Sequence, residues 1–280
     1  MNARLAFPIL GLAGALWLTP SVADAQSETE PKPERGKVDG VEDEASRARR
    51  NGDDWECLDC GGGFFLFQMV DAAFRAMVMP SPHPGQGYHR YPYADTLDAD
   101  AFVHSPVATG RRFGAMTASY FADNAVGGTL QAGQFSLEGA NGVMHAGMEY
   151  TLYREPTQTD TDWLHLARVS VGVVPRMGRL GFMRIALAAR AVILDNSDAA
   201  IGPELEIGLQ AFPARPWGAA VNARGALLHW NWGGSSGFAD LTATGSYFVG
   251  RAELMAGWRY TKVGSAEAFN GPTAGVRLWF

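Results

Sequence analysis

After Gly110 the sequence is a series of segments in which apolar and polar residues alternate, separated by breaks rich in turn-forming residues. Because successive side chains of a strand point to opposite faces, this period of two predicts strands with one apolar and one polar face. We expect an all-β fold of about ten antiparallel strands, although eight or twelve would also fit. The predicted strands are Phe113–Phe121, Thr129–Glu138, Val143–Tyr153, Trp163–Val174, Leu180–Leu194, Ile201–Phe212, Trp217–Trp232, Ala239–Val249, Arg251–Thr261 and Ala274–Phe280.

The segment Thr129–Glu138 departs from simple alternation. Leu130 and Ala132 are out of phase with Phe135 and Leu137. An extra residue near Gly133 would restore the phase, so we predict a β-bulge there.

The segment Trp217–Trp232 is ambiguous in its second half. Alternation places Arg224 and Trp230 on one face and Leu227 and His229 on the other, so each face mixes polar and apolar residues. The pattern does not decide which of these faces points inward.

The apolar face of the segments contains many Ala and Gly residues beside Leu and Val, with Trp and Tyr near the segment ends. Lipid tolerates small side chains, whereas the close-packed core of a soluble protein needs more side-chain volume. We therefore predict a transmembrane, antiparallel, up-and-down β-barrel over residues 111–280. A soluble sandwich or a lipocalin-like barrel also alternates and is the alternative.

The first residues have the pattern of a secretory signal peptide. A basic start is followed by an apolar run and by an Ala23-x-Ala25 cleavage site, so we expect residues 1–25 to be removed. Residues 26–56 are rich in Pro, Glu and Arg and contain few large apolar residues, which predicts a disordered periplasmic linker. The net charge of −6 gives no indication of a nucleic-acid partner.

Both cysteines of the chain lie in the sequence Cys57-Leu-Asp-Cys60. An exported protein meets an oxidising compartment, where a local disulfide is the simplest outcome. Haem attachment requires His after the second cysteine, but Gly61 stands there. A zinc site would need two further ligands at a recognised spacing, so a metal or a redox role is the alternative, and we assign no cofactor.

Phe64–Met79 is an apolar run interrupted only by Gln68, Asp71 and Arg75. On a helix these three residues form one narrow polar stripe, and Asp71 and Arg75 can pair across one turn. At 1.5 Å per residue the helix is about 24 Å long, which is short for a membrane span. We expect it to lie in an interface, to pack on another subunit, or to pack on the periplasmic mouth of the barrel. Residues 81–110 are predicted to be loops, which completes an N-terminal segment over 57–110.

The last ten residues, Gly-Pro-Thr-Ala-Gly-Val-Arg-Leu-Trp-Phe, place Ala274, Val276, Leu278 and Phe280 on one face of a strand. This ending resembles the terminal strand of bacterial outer-membrane β-barrels, whose last residue is usually Phe and is understood to be read by the barrel-assembly machinery. The resemblance covers residues 111–280 and is to the class of small Gram-negative barrels, porin-like in architecture, rather than to one family. It implies an outer-membrane location among lipid and lipopolysaccharide, with Phe280 as the assembly signal and both termini in the periplasm.

If the apolar face meets lipid, the charged residues of the strands point into the lumen. A barrel of eight to ten strands is about filled by its own side chains, so we predict an ion-pair network that closes the lumen. A narrow pore for small solutes is the alternative. The predicted lumen residues are Glu149, Arg168, Arg184, Arg190, Glu204, Glu206, Asp240, Glu253, Arg259 and Arg277.

Some small outer-membrane barrels are enzymes, including lipid-modifying enzymes and proteases, so a catalytic site at the extracellular rim is a further alternative. His229, Ser235 and Asp240 are residue types suited to base, nucleophile and orienting group. Adjacency in sequence is not geometry, and the glycines around Ser235 are explained by a hairpin loop. We therefore expect a non-enzymatic outer-membrane barrel whose residues 57–98 dock a periplasmic protein.

Overall fold

The computed structural model describes residues 36–51, 87–88, 102–103, 112–123, 130–141, 144–156, 161–177, 181–195, 198–231 and 233–280. The predicted signal peptide, Cys57, Cys60 and the predicted helix Phe64–Met79 lie outside these ranges. The described elements are α1 (Lys37–Asn51), β1 (Gly87–Tyr88), β2 (Phe102–Val103), β3 (Arg112–Asp123), β4 (Leu130–Asn141), β5 (Met144–Pro156), β6 (Thr161–Val173), β7 (Arg176–Met177), β8 (Gly181–Leu194), β9 (Ala199–Ala214), β10 (Trp217–Trp230), β11 (Ser235–Val249), β12 (Ala252–Val263) and β13 (Phe269–Trp279).

Ten long strands form a closed antiparallel barrel, which confirms the predicted fold and its strand number. Each strand pairs with the next along the chain, β6 pairs directly with β8, and β13 returns to pair with β3. The two-residue strand β7 extends the sheet beside the start of β8, and β1 pairs only with β2. Closure leaves no long strand with an unpaired edge.

The two ends of the barrel differ in their connections. We call the end at which β3 begins and β13 finishes the near end, and the opposite end the far end. The far connections include 124–129 and 264–268, whereas the near turns include 215–216 and 250–251. Short turns at one end and longer loops at the other are typical of transmembrane barrels.

The predicted bulge near Gly133 is wrong. Pairing of β4 with both β3 and β5 continues without a register shift, so Leu130 and Ala132 point inward while Phe135 points outward. The phase of the sequence changes because the inner face of the barrel is itself apolar at the far end. The same cause resolves the ambiguity of β10, where Trp230 is buried inside and Leu227 is exposed outside.

The outer face of the barrel carries a belt of exposed apolar side chains. Removing such a surface from water is favourable, so the belt indicates contact with lipid rather than with solvent. The exposed large apolar residues are Met116, Phe135, Met144, Met148, Tyr150, Val173, Ile185, Leu187, Ile193, Leu205, Ile207, Leu209, Trp217, Val221, Leu227, Leu241, Tyr247, Val249, Leu254, Trp258, Val276 and Phe280.

Helix α1 lies within the range 26–56 that was predicted to be disordered, so that prediction is wrong for residues 37–51. Val38, Val41, Ala45 and Ala48 are spaced by three, four and three residues and form a buried stripe on one face. These side chains join a cluster of inward-facing residues at the far end of the barrel. No helix among the described residues is long and apolar enough to cross a membrane.

The inside of the barrel has three layers. The far layer is the apolar cluster that includes the buried face of α1, with Phe121, Tyr153, Leu228 and Trp230 among its strand residues. The near layer is a second apolar cluster: Ala115, Ala140, Val174, Phe182, Phe212, Phe248 and Trp279. Between them lies a layer of buried charged residues, which we call the charge layer.

Candidate functional site

The charge layer contains six arginines and six carboxylates, and it is the most unusual feature of the described structure. All twelve side chains point into the lumen, because each lies in phase with the buried positions of its strand. A buried charge is tolerated only when it is paired and hydrogen-bonded. The twelve residues are Arg168, Arg184, Arg190, Arg224, Arg259, Arg277, Glu138, Glu149, Glu204, Glu206, Asp240 and Glu253.

Glu204 and Glu206 on β9 form the centre of this network. Glu204 accepts hydrogen bonds from Arg168 Nε at 2.5 Å and from Arg190 Nε at 2.6 Å. Glu206 accepts from Arg168 Nη2 and lies 3.3 Å from Arg184 Nε. Both carboxylates are almost fully buried, so each depends on the surrounding guanidinium groups for its stability.

Other ion pairs cross the lumen from wall to wall. Arg224 Nη1 on β10 donates to Glu149 Oε1 on β5 at 2.9 Å, although these strands are four places apart in the ring of ten. Arg184 on β8 donates to Glu138 on β4, which is three places away. These contacts between strands three and four places apart mean that charged side chains extend across part of the lumen.

Two further groups of contacts, around Asp240 and around Glu253, extend the charge layer toward the two ends of the barrel. Arg259 donates to Asp240 Oδ2 from Nε at 3.0 Å and from Nη2 at 2.6 Å. Toward the near end, Glu253 accepts from Arg277 Nη1 at 3.3 Å and from Trp279 Nε1 at 2.9 Å. The Trp279 contact joins the charge layer to the near apolar layer.

A cavity of about 80 Å³ remains within the charge layer. Its lining includes the hydroxyls of Thr117, Ser119, Ser136 and Thr242, together with charged residues of the layer. Binding pockets for small molecules usually measure roughly 300 Å³ or more, whereas this volume corresponds to a few water molecules. Outside this lining, two buried guanidinium nitrogens of Arg190 have no hydrogen-bond partner among the described residues, although Nη1 lies 3.9 Å from Glu149 Oε1.

The structure brings together all ten residues that the sequence placed in the lumen. Each is buried or half-buried and has a charged or polar partner inside the barrel. Sequence reasoning missed Glu138, Arg224 and His145. Glu138 was obscured by the assumed bulge and Arg224 by the ambiguous strand, whereas His145 lies in phase with Glu149 and could have been found.

The residues considered for a catalytic rim do not come together. His229 and Ser235 are register partners whose side chains are exposed on the outer face of β10 and β11. Asp240 is buried on the opposite face of β11 and is paired with Arg259. Within the described ranges, no group of three or more His, Cys, Asp and Glu residues could hold a metal ion.

Helix α1 covers the far end through polar contacts at its first turn. The carboxylate of Glu155 on β5 accepts from the backbone N–H groups of Lys37 at 2.9 Å and of Val38 at 2.6 Å. Backbone N–H groups at a helix start lack partners within the helix, so Glu155 caps α1. Lys37 Nζ also lies 2.7 Å from Asp123. Burial lowers the pKa of Lys37, but the charges and hydrogen bonds of Asp123 and Glu267 outweigh it and raise the pKa overall.

The rest of α1 runs across the far loops. The Ser265 hydroxyl donates to Glu44 Oε2 at 2.6 Å, and the oxygen of this hydroxyl accepts from Arg47 Nη1 at 2.7 Å. Gly234 has a φ of 77°, and a Cβ there would lie 2.8 Å from the Ala48 backbone, so only glycine fits beneath the last turn. The end of α1 therefore lies on the hairpin between β10 and β11.

The carboxy-terminal Phe280 completes the near end of the barrel. Its backbone exchanges two hydrogen bonds of 2.9 Å with Gly114 of β3. A Cβ at Gly114 would collide with the Phe280 ring, which is why the ring can lie over this position. The last residue therefore belongs to the pairing that closes the first strand against the last.

A closed barrel with an apolar exterior and a paired, charged interior defines the class of transmembrane β-barrels. Comparison with protein families finds no match, and no curated protein matches the sequence. Among solved structures, the chain is similar to the translocator domain of the autotransporter NalP from Neisseria meningitidis. The identity is 11%, the match covers 88% of this chain and 100% of that chain, and the TM-score is 0.34.

Two structures of OmpT from Vibrio cholerae are also similar. The outer-membrane expressed form is 11% identical over 57% of this chain, with a TM-score of 0.32, and the in-vitro folded trimer form is 10% identical over 65%, with a TM-score of 0.33. The chain spans 64% and 66% of the length of those two proteins. At these identities and TM-scores the likenesses carry no inference about activity.

Proposed function

We propose that the protein is an integral outer-membrane β-barrel that does not conduct solutes and that anchors its own N-terminal residues at the membrane. The exposed apolar belt requires lipid, and a closed barrel is the only sheet that satisfies all its backbone groups there. The short near turns support a near end in the periplasm.

The observation that carries the proposal is the filling of the lumen at three levels. At the far layer, the ring centroids of Tyr153 on β5 and Phe269 on β13 lie 5.1 Å apart. The Tyr153 hydroxyl lies 3.3 Å from the Thr261 hydroxyl on β12. The charge layer is bridged by Arg224 and Glu149. A pore would need a continuous water-filled path, and these contacts across the lumen support a closed barrel instead.

The near layer adds a third set of buried side chains. The ring centroids of Phe182 and Phe212, of Phe212 and Phe248, and of Phe248 and Trp279 lie 6.0, 5.9 and 6.5 Å apart, so the rings form an arc along the wall from β8 to β13. All four rings are buried. An anchoring role needs a stable barrel rather than an open one. The balanced charges and the two apolar layers stabilise the barrel. Docking of a periplasmic protein on residues 57–98 belongs to this proposal.

Conductance in planar lipid bilayers tests the proposal. The complete mature chain is expected to be electrically silent, with insertion verified by protection of the strands from protease. The combined variant Glu149→Ala, Arg224→Ala, Arg184→Ala, Glu138→Ala removes the wall-to-wall pairs and serves as the matched comparison, with increased leak expected. Regular single-channel steps from the unmodified chain would refute the anchoring role and support the pore.

A further inference from the structure

The cavity within the charge layer is lined by an excess of positive charge. The charge layer as a whole is balanced, but four of its carboxylates, those of Glu204, Glu206, Asp240 and Glu253, lie outside the lining. Away from water the interaction between charges is strong and falls with distance, so the nearest charges dominate the potential in the cavity. This potential favours an anion. The lining contains two carboxylates and five arginines: Glu138, Glu149, Arg168, Arg184, Arg224, Arg259 and Arg277.

Two amide side chains of the lining offer hydrogen-bond donors rather than acceptors. Gln134 Oε1 on β4 accepts from Arg259 Nη1 at 2.7 Å, and Asn222 Oδ1 on β10 accepts from Arg184 Nη2 at 3.2 Å. Because each amide oxygen is bound to a guanidinium group, the NH₂ group is the end that each amide can offer to a ligand.

Thr117 on β3 adds a donor of the same kind. Its hydroxyl oxygen accepts from Arg277 Nε at 3.1 Å, so the hydroxyl hydrogen can donate to a ligand in the cavity. The three side chains come from different parts of the wall, since β4 and β10 are five places apart in the ring of ten strands. Donors from opposite walls therefore meet at one cavity that is lined by guanidinium groups.

The size of the cavity limits the anion. A volume of about 80 Å³ has room for a chloride ion, which is little larger than a water molecule, together with a few waters. Organic anions such as gluconate are too large. An anion that leaves water loses its hydration, and charge-assisted hydrogen bonds from guanidinium groups and other donors offset that cost.

We propose that the cavity binds a chloride ion, held by the guanidinium groups of the lining and by the donors of Thr117, Gln134 and Asn222. This site goes beyond the anchoring role and does not depend on whether the lumen conducts, because a bound ion needs no continuous path. The ion pairs that cross the lumen hinder exchange, so we expect the ion to be enclosed when the barrel folds.

Bromide replaces chloride readily and can be located by its anomalous scattering. The complete mature chain is refolded and crystallised in sodium bromide, and diffraction is measured at the bromine absorption edge. We expect an anomalous peak in the cavity, within reach of the amides of Gln134 and Asn222. Electron density there without an anomalous peak would identify water alone and would overturn the proposal.

Urea unfolding in detergent micelles measures the effect of the ion on stability. Chloride is replaced stepwise by gluconate at constant ionic strength, and the protein is refolded in each mixture. Since the ion binds the folded barrel, a tenfold rise in chloride above its dissociation constant should multiply the folding equilibrium constant by about ten. Identical unfolding midpoints in the two salts would contradict a chloride site.

The variant Asn222→Asp assigns the effect to the cavity. It keeps an oxygen for Arg184 but replaces the donor with a negatively charged oxygen, so the dependence on chloride should disappear. Asn270→Asp is the matched control, because Asn270 is exposed on the outer face and its Oδ1 likewise accepts a hydrogen bond, from Trp258 Nε1. Equal chloride dependence of the two variants would overturn the assignment. The bromide measurement uses the unmodified chain and decides the question even if a variant does not fold.

Discussion

The charge layer and the two apolar layers close the same lumen by opposite means. In the charge layer, stability depends on exact partners, since six guanidinium groups must each find a carboxylate away from water. In the apolar layers, stability depends on shape, because the Phe, Leu and Tyr side chains need only fill the space inside the barrel. We therefore expect the charge layer to be far less tolerant of a single isosteric change than the apolar layers.

The largest effect is expected for Glu206→Gln. The substitution keeps the size of the side chain but leaves Arg168, Arg184 and Arg224 sharing one carboxylate fewer. Breaking a buried ion pair by removing one partner costs about 3–5 kcal/mol. Urea unfolding in detergent micelles, followed by tryptophan fluorescence, measures the loss. Glu267→Gln at an exposed carboxylate is the control, and a similar loss for both variants would show that the charge layer does not depend on the Glu206 carboxylate.

A somewhat smaller effect is expected for Leu228→Ala in the far layer. Leu228 is fully buried, so truncation leaves a cavity and costs about 2–4 kcal/mol. Its neighbour Leu227 is 64% exposed on the outer face, and Leu227→Ala serves as the matched control. The same urea experiment should separate the two variants clearly. Equal losses would mean that the far layer is not packed as a core.

Removal of the cap on α1 should affect the helix and spare the barrel. Glu155→Ala leaves the backbone N–H groups of Lys37 and Val38 without their acceptor, at a cost of about 1–2 kcal/mol. We expect faster trypsin cleavage after the exposed Arg47 with unchanged barrel unfolding. Slower or unaltered cleavage would show that Glu155 does not hold the helix. Glu267→Ala, near Lys37 but exposed, is expected to change cleavage little.

The smallest expected effect is a pH dependence of the docking of α1 that involves Glu42. Unlike the substitutions above, protonation of Glu42 is expected to stabilise the docked helix. Partial burial and the negative charges of Asp162 and Asp39, with those of Asp198 and Asp195, raise the pKa of Glu42. A carboxyl whose pKa is raised in the docked state favours docking at low pH, and that contribution fades as the pH rises through the raised pKa. Amide exchange in α1, corrected for intrinsic rates, should therefore slow as the pH falls through the raised pKa of Glu42. Glu42→Gln should remove this dependence, and a persistent dependence would contradict the assignment.

The strands could be predicted because lipid imposes an apolar outer face along the whole barrel. The inner face obeys no such rule, and it changes from apolar to charged and back to apolar. Alternation therefore failed where an inner residue was apolar, at Leu130 and Ala132 in β4 and at Leu228 and Trp230 in β10. The outer face of the strands could therefore be predicted from the sequence, whereas the character of the inner face depends on tertiary packing.

Helix α1 could not be predicted because its own sequence is a weak guide. Two valines and two alanines form its buried stripe, too little apolar surface to hold a helix alone. Its stability comes from Glu155, Asp123 and the far loops, which are distant in sequence. In the same way, sequence placed Glu149 in the lumen but could not reveal its partner Arg224, because a wall-to-wall contact depends on barrel closure.

The central claim is that side chains close the lumen, and the reactivity of a cysteine at Ser136 tests it most directly. Ser136 lines the cavity in the charge layer, between the two apolar layers. In a background with Cys57→Ser and Cys60→Ser, a small cationic methanethiosulfonate reagent is added to the folded protein in vesicles. We expect Ser136→Cys to react only after unfolding, while Ser46→Cys on the exposed face of α1 reacts at once. Rapid reaction of Ser136→Cys in the folded barrel would contradict a closed lumen.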